Sequence, residues 1–451
     1  MTETQGFPPT GEALAPVAGI VNPAVGPATA QATTIDSGQY VLTFRDYPDA
    51  AQPSDTYDAI TSELGSKMAK VGVTDVLASV NRHAARLSGA PSAAANFVDG
   101  FTWDTGDRQV RYWVPQGVTT TADAYGNGLY PNGGTNRVVM ASWRYDTSEA
   151  QYDANNPPTY VNGVPTYASK GVRVSFVDYN TASAPMYRHV LLVEPVRTAS
   201  GAASYKPVAI HAGGLLWYGN LLYVVDTFKG LRVFDLESML ESDPADGTKC
   251  GLGPDGTTYS AFGYSFVLPQ TYAYDNAGTY LRYTTLGLDR STVPDSLVVS
   301  EYSVSGVVDY SSVSFIGTGP GSPTPKVVRW NLDYTTRLLK DPDPGGRVAA
   351  VQAVTISQGK IQGVASQGNT VYLSTSNGQS PGSLRRYVST STTPVSTAQA
   401  IGCEDLSFHS STASWSYSPD VIWTLTEYYD GEYADADRYV YAVGVPAPGM
   451  P

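Results

Sequence analysis

Residues Ile210–Leu236 read IHAGGLLWYGNLLYVVDTFKGLRVFDL. Two apolar runs flank Gly219-Asn220. Lys229-Gly230 then leads into a third run, where Leu231, Val233 and Leu236 partly alternate with Arg232 and Asp235. Short apolar runs joined by two-residue turns predict a three-stranded antiparallel meander.

The same grammar recurs from Phe101 onward. Units begin near Pro115, Ile210, Leu281, Ile361 and Gly402. Repetition of a four-stranded meander marks a β-propeller, and five units predict five blades, with six as the alternative if a long loop hides another. The long loops run from Thr147 to Ser169, Glu237 to Ser260 and Ser303 to Pro325. The last unit shows three clear strands. The segment DRQVRYWV (Asp107–Val114) is expected to supply the fourth, so that the two ends of the chain pair and close the ring.

Before the repeats lie two further segments. Residues 1–36 are rich in Pro, Ala and Val, with Glu3, Glu12 and Asp36 as the only charges, and predict an extended or flexible arm, either a plain tail or a segment that docks on its own propeller or on another subunit. Residues 37–100 predict a small strand–helix–helix appendage. Its first helix is capped by Ser54 or Asp55 and buries Tyr57, Ile60, Leu64 and Met68. The second starts near Thr74, aligns Val76, Val80, His83 and Leu87, and stops at Gly89. The propeller is expected over 101–444, with a tail at 445–451.

Composition excludes several classes. Charged residues are 15% of the chain, against roughly 25% in average soluble proteins, and net charge is −13. Without a cationic face the chain is not expected to bind nucleic acid. No apolar run approaches the roughly 20 residues of a membrane span. Cys250 and Cys403 cannot alone make a disulfide framework or a tetrahedral metal site, and whether they pair stays open. The composition suits an extracellular or particle-associated protein, yet residues 1–19 lack the features of a Sec signal peptide.

Several phrases occur together in one order: KGVRVSFVDY, YRHVLLVEP, the opening stretch, LDRSTVPDSLVVSEY, RWNLDY, EDLSF and WTLTEY. Over about Phe101 to Val443 the chain resembles a family of actinobacterial secreted propeller-like proteins without an assigned activity. The resemblance implies the propeller and carries no catalytic residue across.

In a propeller the first strand of each blade lines the central channel. The matching positions are Gln116-Gly117, His211-Ala212-Gly213-Gly214, Thr284-Thr285, Gln362-Gly363 and Glu404-Asp405. A polar residue followed by glycine lets polar groups converge while neighbouring strands approach closely. Gln116, His211, Gln362, Glu404 and Asp405 are therefore the candidate ligand-binding residues at the channel mouth. Mutual hydrogen bonding into a plug is the plainest reading. Glu404 with Gln116 and Gln362 offers oxygen ligands of the type Ca2+ takes, which would suit a calcium-assisted hydrolase or lactonase. His211 with Glu404 is the acid–base pair for a hydrolase or lyase. His83, His189 and His409 read as structural, and Trp103, Trp113, Trp143 and Trp217 as core anchors. The tyrosines of EYYDGEY could stack on a glycan. No phosphate-binding glycine loop or nucleophile elbow is present. The leading expectation is a non-enzymatic binding or structural propeller with a small molecule, glycan or protein partner. The rival is an enzyme with its site at the channel mouth.

Overall fold

The computed structural model describes residues 32–303, 324–368, 370–388 and 395–445. The fold is all-β. Its α-helices are short: Tyr57–Gly65, Val73–Ala78, Thr105–Gln109 and Thr121–Ala124.

Five antiparallel groups of four strands follow one another. Their first strands are β1 (Trp113–Thr120), β2 (Leu215–Tyr218), β3 (Thr285–Asp289), β4 (Ile361–Gln367) and β5 (Cys403–His409). The opening stretch folds as a meander. Tyr218 pairs with Leu221 across Gly219-Asn220, and Asp226 pairs with Gly230. Gly219 takes φ +63°, the first central position of a II′-type hairpin turn. Leu221–Asp226 is buried on both faces, which explains its unbroken apolar run. The fourth strand of this group is Phe266–Asn276.

The first group adds Val138–Tyr145, Val172–Asp178 and Met186–Arg197 to β1. The third adds Ser296–Ser300, Lys326–Asn331 and Gln352–Ile356, with Ala32–Ile35 on its outer edge. The fourth adds Thr370–Asn377, Ser380–Val388 and Val395–Ile401. The fifth adds Val421–Thr426, Tyr439–Gly444 and Phe97–Thr102. β1 lies against β2, β2 against β3, β3 against β4, β4 against β5, and β5 against β1.

The core sits between the groups. Trp143, Trp217, Trp330 and Trp423 are fully buried. Trp103 meets Trp143 edge-on at 4.9 Å between ring centres. Each buried large apolar side chain contributes about 1.5–3 kcal/mol through area removed from water. The long loops carry two-stranded hairpins, at Thr159–Val161 with Val164–Thr166 and at Cys250–Leu252 with Tyr259–Ala261, a 3-10 turn at Ala150–Tyr152 and the short strand Met239–Glu241.

Several expectations need correction. The strand that joins the fifth group is Phe97–Thr102, not Asp107–Val114. Asp104 caps a helical turn at Thr105–Gln109 by accepting from Gly106 N at 2.9 Å, and Trp113–Val114 already belong to β1. The first helix is capped by Thr56, whose Oγ1 accepts from Ala59 N at 3.1 Å. The second helix ends at Ala78. Beyond it Arg82–His83 pairs with Met186–Tyr187, so His83 is exposed instead of lying on a buried stripe. The boundary expected at 100/101 falls inside a strand, and Lys70–Val71 pairs with Met239–Glu241. Segment 37–100 is thus woven into the sheets. Of the arm, residues 1–31 lie outside the described residues, as does most of the loop expected from Ser303 to Pro325. Cys250 and Cys403 are both free thiols.

Candidate active site

The five first strands start at one level because glycines let them touch. A Cβ on Gly363 would stand 2.7 Å from the Glu404 carbonyl oxygen, and one on Gly117 would stand 2.8 Å from Leu215 Cβ. Gly214 lies equally tight against Leu286. At that level Gln116, Gln362 and Glu404 meet.

Gln362 Nε2 donates to Glu404 Oε1 at 2.7 Å. Gln116 Nε2 donates to Pro115 O at 2.8 Å and to Glu427 Oε2 at 3.3 Å. Glu404 and Glu427 lie within hydrogen-bonding reach of each other. Register explains this. Cys403 pairs with Thr426, and Glu427 N donates to Gly402 O at 3.0 Å, so Glu427 emerges beside the start of β5. Burial, then the Glu427 and Asp405 carboxylates, hold Glu404 well above the usual carboxylate range. Burial also raises Glu427, while Arg144 and Gln116 pull against it. Two carboxyls in one desolvated site disfavour each other's ionisation, so both are held above the usual range.

Around the pair stand cations and aromatics. Arg144 acts on both glutamates, and its Nη1 bonds Asp146 at 2.9 Å. Tyr302 and Tyr428 feel the charges of both glutamates. His211 precedes β2, where Gly213 lies against the Thr284 carbonyl. It is reached by solvent yet embedded among protein atoms, and that environment with Arg144 and Arg282 pushes its imidazole down to about 3.

Asp405 does not join this cluster. Its Oδ2 accepts from Val118 N at 3.2 Å and from Leu215 N at 3.0 Å. It is a buried brace joining β5 to β1 and β2. Thr284 and Thr285 bond within their own hairpin, to Ser300. His189 and His409 are buried, His189 between Ser175 and Asp107, and His409 on the Trp415 carbonyl.

Sequence reading missed Glu427, Arg144, Arg282 and Tyr302, while Tyr428 is one of the tyrosines of EYYDGEY that it proposed for stacking. The available signal was register: the end of a second strand returns to the level where the first begins, as Arg144 opposite Val114 shows. For calcium the donors fit poorly. Gln116 and Gln362 turn amide nitrogens toward the glutamates, and two guanidiniums add positive charge. Among the described residues no group of three or more His, Cys, Asp or Glu is placed to hold a metal.

No family model matches the chain, and no curated protein matches it. Among solved structures it is similar to the GH43_1 enzyme from Xanthomonas citri complexed with xylotriose, at 9% identity and a TM-score of 0.31, covering 87% of this chain and 94% of that one. A second structure of that enzyme matches at 7% identity with the same TM-score and coverage. A likeness this distant says nothing about substrate. Both structures are of an enzyme, which stands against the expectation of a non-enzymatic binding or structural protein, and a likeness this distant gives this chain the fold alone.

Proposed function

We propose that the chain is a hydrolase that activates water with the Glu404–Glu427 pair at the mouth of a five-bladed β-propeller. The cyclic order of contacts among β1–β5 supports the five blades. The pairing of Phe97–Thr102 with Tyr439–Gly444 supports closure. The observation that carries the chemistry is two neighbouring carboxyls, Glu404 held by Gln362 at 2.7 Å and Glu427 by Gln116 at 3.3 Å, both raised above the usual carboxylate range. Carboxyls of glycoside hydrolases usually stand about 5–5.5 Å or 6.5–9.5 Å apart. A paired acid and base can serve direct addition of water to a carbonyl, and we take an ester or lactone as the substrate class.

Ionised Glu427 takes a proton from water as the water oxygen bonds the carbonyl carbon. Glu404 gives its proton to the carbonyl oxygen. As the tetrahedral adduct collapses, the C–O bond to the alcohol breaks, and Glu427 returns its proton to the alkoxide. A hydroxyl proton of the adduct restores Glu404. Arg144 and Arg282 stabilise the negative charge that develops on the carbonyl oxygen before the Glu404 proton reaches it. Tyr302 and Tyr428 flank the substrate, and Gln116 and Gln362 hold the two carboxyls.

The test is a panel of aryl esters, lactones and aryl glycosides with the full chain, Glu404→Gln and Glu427→Gln. Ester or lactone turnover that falls about 10²–10⁴-fold in both variants is expected, the usual range for positioned acid–base groups. Turnover unaffected by either variant, turnover of glycosides alone, or no turnover of any substrate overturns the reading.

A further inference from the structure

A polar cavity of about 360 Å³, lined by neither Glu404 nor Glu427, lies between the first strand group, the turn at Phe262–Ser265 and the segment around Arg82. Its charge is opposite to that of the whole chain. Arg82, Lys170, Arg173 and Arg188 line it against only Asp107 and Asp153, a local excess of two positive charges in a protein of net charge −13. His189 adds none, because burial, then Arg173, pushes it down to about 3.

The two carboxylates are already engaged. Asp107 takes Arg173 at 2.7 Å, His189 at 3.1 Å and Arg82 at 3.2 Å. Asp153 takes Lys170 at 2.9 Å. Arg188 is held by neutral groups, donating to the Ser79 carbonyl and to Ser265 Oγ at 2.7 Å. Burial, and then repulsion from Arg82, lowers its pKa. Arg173 Nε is buried and finds no acceptor among the described residues. Half-buried Arg82 leaves the cavity open to solvent on its side. Trp113 and Tyr264 give it aromatic walls.

A cavity with excess guanidinium charge, donors to spare and aromatic sides lacks one component, an oxyanion. We propose that it binds a small organic anion, a carboxylate or phosphate monoester on a flat ring, with Arg188 and Arg82 holding the oxyanion and Trp113 and Tyr264 flanking the ring. This site does not rest on the hydrolase reading.

Binding is read by calorimetry and by quenching of tryptophan fluorescence in the full chain. The probes are inorganic phosphate, phenyl phosphate and benzoate, with phenol as the neutral control. Phenyl phosphate or benzoate should bind, phenol should not, and added salt should weaken binding. Arg188→Gln should raise the Kd at least about tenfold, as expected for a lost charge-assisted contact, whereas Glu404→Gln should leave it unchanged. Arg82→Gln, on a half-exposed side chain, serves if the Arg188 variant does not fold. No binding by any anionic probe, equal binding of phenol, or unchanged affinity in the folded arginine variant overturns the proposal.

Discussion

Replacing Asp405 with alanine tests whether one carboxylate fastens three strands. Its Oδ2 accepts from Val118 N in β1 and Leu215 N in β2 while its own backbone lies in β5. Alanine leaves both N–H groups buried without a partner. At about 1–3 kcal/mol for each orphaned donor, the expected loss is about 2–6 kcal/mol. Asparagine keeps an accepting oxygen in the same place and should cost less than half as much. Urea unfolding followed by tryptophan fluorescence gives the midpoints and slopes. The pH dependence has a definite sign. Burial raises the folded-state pKa of Asp405 well above that of the unfolded chain, about 3.9 for aspartate. The folded state therefore binds more protons between those two values, and this group's contribution to stability falls as pH rises through that window. Asp405→Asn lacks that group, so the stability of the asparagine variant relative to wild type should improve as pH rises from about 4. A loss below about 1 kcal/mol for alanine, within the range of ordinary surface changes and mild substitutions, or equal losses for alanine and asparagine, refutes the brace.

Gly363→Ala places a methyl 2.7 Å from the Glu404 carbonyl; it should cost about 1–3 kcal/mol by overpacking and lower turnover by displacing Gln362, as thermal melts and steady-state kinetics would show. Lys326→Met breaks a fully buried ion pair to Glu301 of 2.9 Å; the expected loss is about 3–5 kcal/mol, measurable by chemical unfolding. Burial pushes both cysteine thiols up to about 12. A thiol reagent at pH 8 should label neither in the native protein and both in guanidinium, and a reductant should leave the melting temperature unchanged.

What could be read from the sequence followed how local each signal was. The polar-then-glycine steps at Gln116-Gly117, Gln362-Gly363 and His211 with Gly213-Gly214 announced close strand contact, because only glycine fits there. Gln116, Gln362 and Glu404 were legible as one group since each opens a first strand. Glu427 and Arg144 were not, because their place depends on register across hairpins whose loops vary in length. Asp405 looked like a site residue, but the pleat sends successive side chains to opposite faces, and it points into the strand contacts. The strand Phe97–Thr102 was overlooked because Asp99 and Gly100 interrupt its apolar run. Asp99 is in fact satisfied by Arg86 and Tyr417, and Gly100 admits the Val440 carbonyl. His83 was misplaced on a helix because pairing with Met186 overrode local preference.

The pairing of Phe97–Thr102 with Tyr439–Gly444 also sets a timetable for biosynthesis. On the ribosome the early strand emerges long before its partner is made, at about 5–20 residues per second. For that interval its edge stays open to chaperones or to the wrong strand. The fifth sheet is finished only after Tyr439–Gly444 has left the exit tunnel. A stalled or truncated chain can hold four sheets and still lack Tyr439–Gly444, which makes completeness of translation a condition for protection from proteases.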